Sequence, residues 1–209
     1  MLRSNQQAHS QVWPFLRAEP PVNVDWLPWS HTFGGNHNLG QVLALGGTMY
    51  IDDGGPTPAL FERTVAALRD MRPTVHYNVP AGYALLAPRL EADREFATAF
   101  FSRLRFLFYA AAALPGAVGP AARGGRRRRR PPPGAADRVV GSTETASGAT
   151  TAHFASARCG CIGVPLPGVT LKLAPQDGKL EIRVAGPNVT PGYHDDPAAT
   201  AAAFDEDGF

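Results

Sequence analysis

Cysteine is nearly missing: Cys159 and Cys161 are the only two in 209 residues. They are too few and too close together for a disulfide framework, which points to a reduced, cytoplasmic compartment. No second Cys or His pair stands at ligand spacing from them, so the thiols read as buried or idle rather than as a metal site. No charged-then-apolar leader opens the sequence, and no apolar stretch reaches the length of a membrane span. A general basic excess is missing too. The formal charge is +2, but Arg123 and arginines 126–130 carry all of it, and the rest of the chain is net acidic. What is present is ordinary globular composition, 44% hydrophobic with 9% aromatics, enough for one sizeable domain or two small ones.

The patterning alternates strand and helix. A polar helix over 1–20 stops at Pro20-Pro21. Residues 22–29 alternate like a strand and run into a loop over 30–40, which opens a helix through Leu39, Val42, Leu43 and Leu45. A short strand over 46–51 precedes a helix capped by Thr57, with Pro58 at its first position and its end at Arg72-Pro73. Strand 74–79, a helix from Pro80 through Leu86, a helix over 96–101 and strand 104–109 follow. This order implies an α/β fold with a mostly parallel sheet covered by helices. After Thr150 the chain becomes β-rich. Residues 169–173 and 179–184 form a hairpin across Gln176-Asp177-Gly178, and Asp196-Pro197 caps a short alanine-rich helix.

Between these halves the character changes. Residues 116–136 are, apart from Val118, all Gly, Ala, Pro and Arg, cannot build a core, and are expected to be disordered. An arginine run can bind nucleic acid or an anionic surface electrostatically, but no interleaved aromatics or basic helix support sequence-specific recognition. GC-rich codons read out of frame give the same composition, and that reading is preferred to a selected basic patch.

Two loops carry candidate chemistry. Gly141, Ser142, Thr143, Glu144 and Thr145 combine a flexible turn, hydroxyl donors and a carboxylate, as a phosphate and Mg²⁺ site needs; a helix-capping turn has the same composition. Residues 30–40 gather an imidazole, an aromatic ring, glycines and amides after a strand, where ligands sit in open α/β sheets. The small residues after Tyr109 would let a flat ligand approach the backbone, and a plain tight turn would look the same.

Taken in order, residues 26–40, Val79-Pro80-Ala81-Gly82-Tyr83, residues 109–115, the loop 141–145, Gly163-Val164-Pro165-Leu166-Pro167-Gly168, and 178–209 resemble the adenylate-forming (AMP-binding) acyl-CoA synthetase superfamily, and within it the bacterial feruloyl-CoA synthases. The resemblance implies ATP-dependent activation of a carboxylic acid, here a hydroxycinnamate-like one, to an acyl-adenylate, followed by transfer to CoA. A fatty or other aryl acyl-CoA ligase is the alternative, and a binding module using the arginine run is another. It implies that Thr143 contacts the α-phosphate and Glu144 holds Mg²⁺. It further implies that Ala111, Ala112, Ala113, Gly141 and Ser142 lie at the nucleotide, and that His31, Phe33 and Gly34 lie at the acyl pocket. Residues 1–115 and 141–209 are then parts of the large adenylation domain, with 116–140 an aberrant insert. Val140 stands where the family has an aromatic on the adenine, and Ala111 where it has Gly. The phosphate-cradling loop, the ribose-binding Thr-Gly-Asp and the adenylating lysine are absent from these 209 residues. The chain is therefore expected to be an inactive fragment on its own.

Overall fold

Strand and helix alternate through the first half of the chain as the spacing predicts. In the computed structural model, which describes residues 1–112, 137–154 and 161–209, the elements are α1 (Leu2–Val12), α2 (Phe15–Ala18), β1 (Val22–Asp25), a π-helical turn (Phe33–Leu39) running into α3 (Gly40–Leu45), and β2 (Thr48–Ile51). They continue with α4 (Pro58–Met71), β3 (Val75–Asn78), α5 (Pro80–Ala92), α6 (Arg94–Phe101), β4 (Phe106–Tyr109) and β5 (Asp137–Val140). A 3-10 turn (Thr143–Thr145), β6 (Thr150–Ala152), β7 (Val164–Pro165), β8 (Thr170–Gln176), β9 (Lys179–Ala185) and α7 (Pro197–Ala203) complete them. The arginine run, Ala113 and Cys159 lie outside the described residues.

β3, β4 and β5 are parallel, and β6 and β7 extend the same sheet antiparallel. β1 pairs in parallel with β2 and meets the segment before β3, where Thr74 N–H donates to Val22 O and Val22 N–H donates to Thr74 Oγ1, both at 2.9 Å. β8 and β9 form the expected hairpin. Its turn is Asp177-Gly178, with φ of 48° and 74°, the left-handed pair that a type I′ turn requires.

Successive side chains of a strand leave on opposite faces, yet every residue of β3 and β4 is buried. Both faces are therefore covered. Val75, Tyr77, Phe106 and Phe108 pack under Trp13, Leu16, Leu27 and Phe33. Leu107 and Tyr109 join Val24 and the apolar faces of α4, α5 and α6, including Phe61, Leu68, Leu86, Phe96 and Phe100. Burying each such ring contributes roughly 2–3 kcal/mol.

Two local expectations need correction. The segment 30–40 is not an open loop: it is helical from Phe33, with His37 N–H donating to Thr32 O in the wide i→i+5 pattern. Gly34 and Gly35 permit this, because a Cβ on them would lie 2.5 Å from Pro28 O and 2.3 Å from Trp29 O. The helix from Pro80 does not stop at Leu86 but continues to Ala92 through Pro88. Leu86, Ala87 and Leu90 are all in the core, and their burial offsets the backbone hydrogen bond that a mid-helix proline removes. Thr57 does sit at the N-cap of α4, but its side chain makes no capping hydrogen bond.

Burying both faces traps titratable groups. His76 lies edge-on to Tyr83 and Phe100, each at 5.5 Å, and burial lowers its pKa to about 3. Burial lowers His37 to about 4 and His9 well below the ordinary value. Asp25 moves the other way, raised to about 6 by burial. Each depressed imidazole stabilises the fold above pH 6.5, and this contribution is lost as pH falls toward the folded value; Asp25 does the reverse between its ordinary pKa and about 6. Three histidines outweigh one aspartate. We expect urea melts at pH 5 to show a less stable protein than at pH 7.5, with about 2 kcal/mol of the loss belonging to each of His37 and His76. His76→Leu should reduce the pH-dependent loss by that amount, whereas an unchanged loss would mean that His76 is not held neutral.

Candidate functional site

A cavity of about 400 Å³ opens beyond the C-terminal ends of β4 and β5, the position where open α/β sheets place ligands. His31, Phe33 and His37 form one wall, Phe108 to Ala112 another, Val139, Val140 and Gly141 a third, and Ser147, Cys161 and Ile162 complete it. Five of the residues proposed from sequence thus face a single space: His31, Phe33, Ala111, Ala112 and Gly141. The wall is mostly apolar, and its polar groups are held at defined positions.

His31 is the first of these. Phe33 N–H donates to its Nδ1 at 3.1 Å, so in the neutral ring the proton is on Nε2, which is a hydrogen-bond donor. His37 is 1% exposed, and its ring stacks on Phe108 at 4.6 Å and 19°. Tyr77 meets it edge-on at 5.0 Å. Its Nδ1 lies 2.8 Å from Asn38 Oδ1. The Asn38 amide donates to Asp25 Oδ2 at 2.7 Å, and Leu27 N–H donates to Asp25 Oδ1 at 2.9 Å. A buried chain of three side chains therefore ends at an imidazole on the cavity wall.

The loop after β5 is a capped turn. As a cap, Ser142 N–H donates to Thr145 Oγ1 at 2.9 Å, and Thr145 N–H donates to Ser142 O at 3.2 Å. Gly141 is required there, since a Cβ would lie 2.5 Å from Ser147 O. Asn5 and Asn188 fasten the loop, each donating its amide to Gly148 O, at 2.9 and 2.8 Å. Glu144 is held as a carboxylate: its own backbone N–H, then the Ser142 hydroxyl, then Tyr193 O–H keep its pKa below the usual value. Tyr193 O–H donates to Glu144 Oε1 at 3.1 Å. Among the described residues no three His, Cys, Asp or Glu side chains gather as a metal cage. A single ionised carboxylate is nonetheless the donor set of a Mg²⁺ ion that keeps waters and shares phosphate oxygens.

Not every candidate reaches the cavity. Ser142 and Glu144 face a neighbouring depression with Tyr193 and Asp205, and Thr143 is exposed and lines neither space. Gly34 packs on the backbone of Leu27 and Pro28 instead of on the cavity. Ala113 lies outside the described residues. Sequence reasoning missed His37, Phe108, Val139, Ser147 and Ile162. His37 was visible only as one imidazole in a Gly-Asn-His-Asn run, and nothing local shows which ring it stacks on.

Ala111 adopts φ = 77°, a left-handed conformation that costs an L-residue roughly 1–2 kcal/mol. Ala111→Gly is expected to stabilise the chain by about 1 kcal/mol, raising Tm by about 2–4 °C in calorimetry. A lowered Tm would mean that the turn does not hold that conformation.

Residues 3–194 match the model of the AMP-binding enzyme family. The benzoate–CoA ligase of Thauera aromatica is 31% identical over 181 residues, covering 82% of this chain and 32% of that protein. The human long-chain-fatty-acid–CoA ligase 1 is 36% identical over 77 residues, covering 33% of this chain and 11% of that protein. A malonyl-CoA ligase solved as a ternary product complex with methylmalonyl-CoA and AMP superposes with a TM-score of 0.77 at 33% identity, covering 100% of this chain and 43% of that one. The chain thus spans about a third of the benzoate ligase's length. No helix among the described residues is long and apolar enough to cross a membrane. With a family model matched over nearly its whole length and a fold shared with a CoA ligase, this chain belongs to the AMP-binding enzyme family.

Proposed function

We propose that this chain is part of the large domain of an ATP-dependent acid:CoA ligase that activates an aromatic, hydroxycinnamate-like acid. One observation carries the reading: His31 and Phe33, assigned to the acyl group, and Ala111, Ala112 and Gly141, assigned to the nucleotide, open onto one cavity. Adenylation needs that juxtaposition, because the acid's carboxylate oxygen must attack the α-phosphorus while pyrophosphate leaves. Phe33, Phe108 and Tyr109 supply an aromatic surface suited to a planar acid. His31 Nε2–H is a donor for the carboxylate or for the charge that develops on the α-phosphate. Ala111, Ala112 and Gly141 allow a flat purine close to the backbone.

Glu144, kept ionised by its neighbours, would hold Mg²⁺, which when bound offsets the repulsion between carboxylate and phosphate. Thr143, its neighbour in the chain, would donate a hydroxyl to phosphate. In a second half-reaction the CoA thiolate attacks the acyl carbonyl carbon and AMP departs. Val140 is a weaker adenine platform than an aromatic residue would be, and Ala111 fills space that a glycine would leave to the base. A phosphate-cradling loop, a ribose-binding carboxylate and an adenylating lysine must come from outside these 209 residues.

The purified 209-residue chain is therefore expected to bind 4-hydroxycinnamate in equilibrium dialysis yet to give no acid-dependent ATP–pyrophosphate exchange above the blank. Exchange at an ordinary enzymatic rate would overturn the assignment of the missing groups to other sequence. Absence of aryl-acid binding would overturn the assignment of the cavity.

A further inference from the structure

Resting on the reading of Glu144 as the Mg²⁺ ligand, we propose that Tyr193 is a positioning residue for that carboxylate: its hydroxyl fixes the Glu144 side chain and leaves the remaining acceptor positions to a divalent cation. Tyr193 stands 49 residues further along the chain, and its O–H donates to Glu144 Oε1 at 3.1 Å. A carboxylate has about four acceptor positions. A hydroxyl proton lodged on Oε1 turns a cation away from that position and toward the others. Glu144 and Tyr193 line one depression of about 580 Å³, bounded by this loop, β9 and α7, so an ion can reach the carboxylate from solvent. Arg183 lines the same depression, but its guanidinium is already held by Glu181 Oε1 at 2.7 Å and Asp205 Oδ2 at 2.8 Å.

A hydroxyl can position a partner only if it is itself held. Tyr193 N–H donates to Thr200 Oγ1 at 2.9 Å, and the Thr200 hydroxyl donates to Asp196 O at 2.8 Å. Asp196 in turn caps α7 by accepting from Ala199 N–H at 2.8 Å. Gly192 lets the chain make this approach: its φ is 147°, and a Cβ there would lie 2.6 Å from Thr200 Cγ2. The same segment also grips the loop through its backbone. Thr190 N–H donates to Glu144 O at 2.7 Å, and the Asn188 amide donates to Thr145 O at 3.2 Å. Main chain and side chain of Glu144 are thus held by one short stretch, at Thr190 and at Tyr193. A free glutamate loses rotamer freedom when it captures an ion, and holding it beforehand removes part of that cost.

The test is paramagnetic broadening of backbone amide signals by Mn²⁺ alone, titrated into the 209-residue chain and into its Tyr193→Phe and Glu144→Gln variants. Broadening in the unmodified chain should centre on residues 142–145, and Glu144→Gln should abolish it. Tyr193→Phe removes only the hydroxyl and should require about fivefold more Mn²⁺ for the same broadening, with the amide shifts of α7 and of the β8–β9 hairpin unchanged. Broadening that is lost in Glu144→Gln but unaltered in Tyr193→Phe would overturn the role of Tyr193 and leave Glu144 as the ligand. Broadening absent from the loop of the unmodified chain, or undiminished in Glu144→Gln, would remove the Glu144 reading and this inference together. Three-bond couplings along the Glu144 side chain of the unmodified, metal-free protein give a readout that needs no variant: they should report a single rotamer, and rotamer-averaged couplings would contradict the inference.

Discussion

Burial of β3 and β4 on both faces is the constraint on which the rest of the structure depends. Four-residue strands with no exposed side chain need a helical layer on each side, and α4, α5 and α6 supply one while α1, α2 and the π-helical turn supply the other. Polar residues within such a sheet cannot reach water. Each must be neutral, as His76 is, or joined to a partner, as Asp25 is to Asn38. The same constraint that stabilises the sheet fixes the protonation states near the cavity.

Close backbone approach then positions the site. Gly34 and Gly35 let the π-helical turn lie directly on residues 27–29, which sets Phe33 and His37 against Phe108 at the end of β4. On the other side of the cavity, Asn5 from α1 and Asn188 from the segment after β9 meet at Gly148 O and hold the loop that begins at Gly141. Parts of the chain far apart in sequence thus fasten one short loop. The loop's capping bonds and its proposed phosphate role do not compete, because Thr145 does the capping while Thr143 stays exposed.

Much of this was legible in the sequence, for physical reasons. The short strand runs at 74–79 and 104–109, the Thr57-Pro58 helix start and the Asp177-Gly178 turn are local signals, and local signals survive folding. Asp196 accepts from Ala199 N–H as its capping position predicts. What was illegible depended on packing. A Gly-Gly pair reads as a loop until the carbonyls against it are seen, and Pro88 reads as a stop until the core beneath α5 is known. His37 was missed for the same reason: its stacking partner lies 71 residues away in the chain, and the Asn38 side chain bonded to it is tied to Asp25 in β1.

The central claim is that one cavity holds an aryl acid beside a nucleotide. A crystal structure of the chain with a non-hydrolysable hydroxycinnamoyl-adenylate analogue tests it most directly. The aryl ring should lie against Phe33 and Phe108, and the adenine against Ala111, Ala112 and Gly141. An analogue bound outside this cavity, or with its two ends in the reverse order, would contradict it.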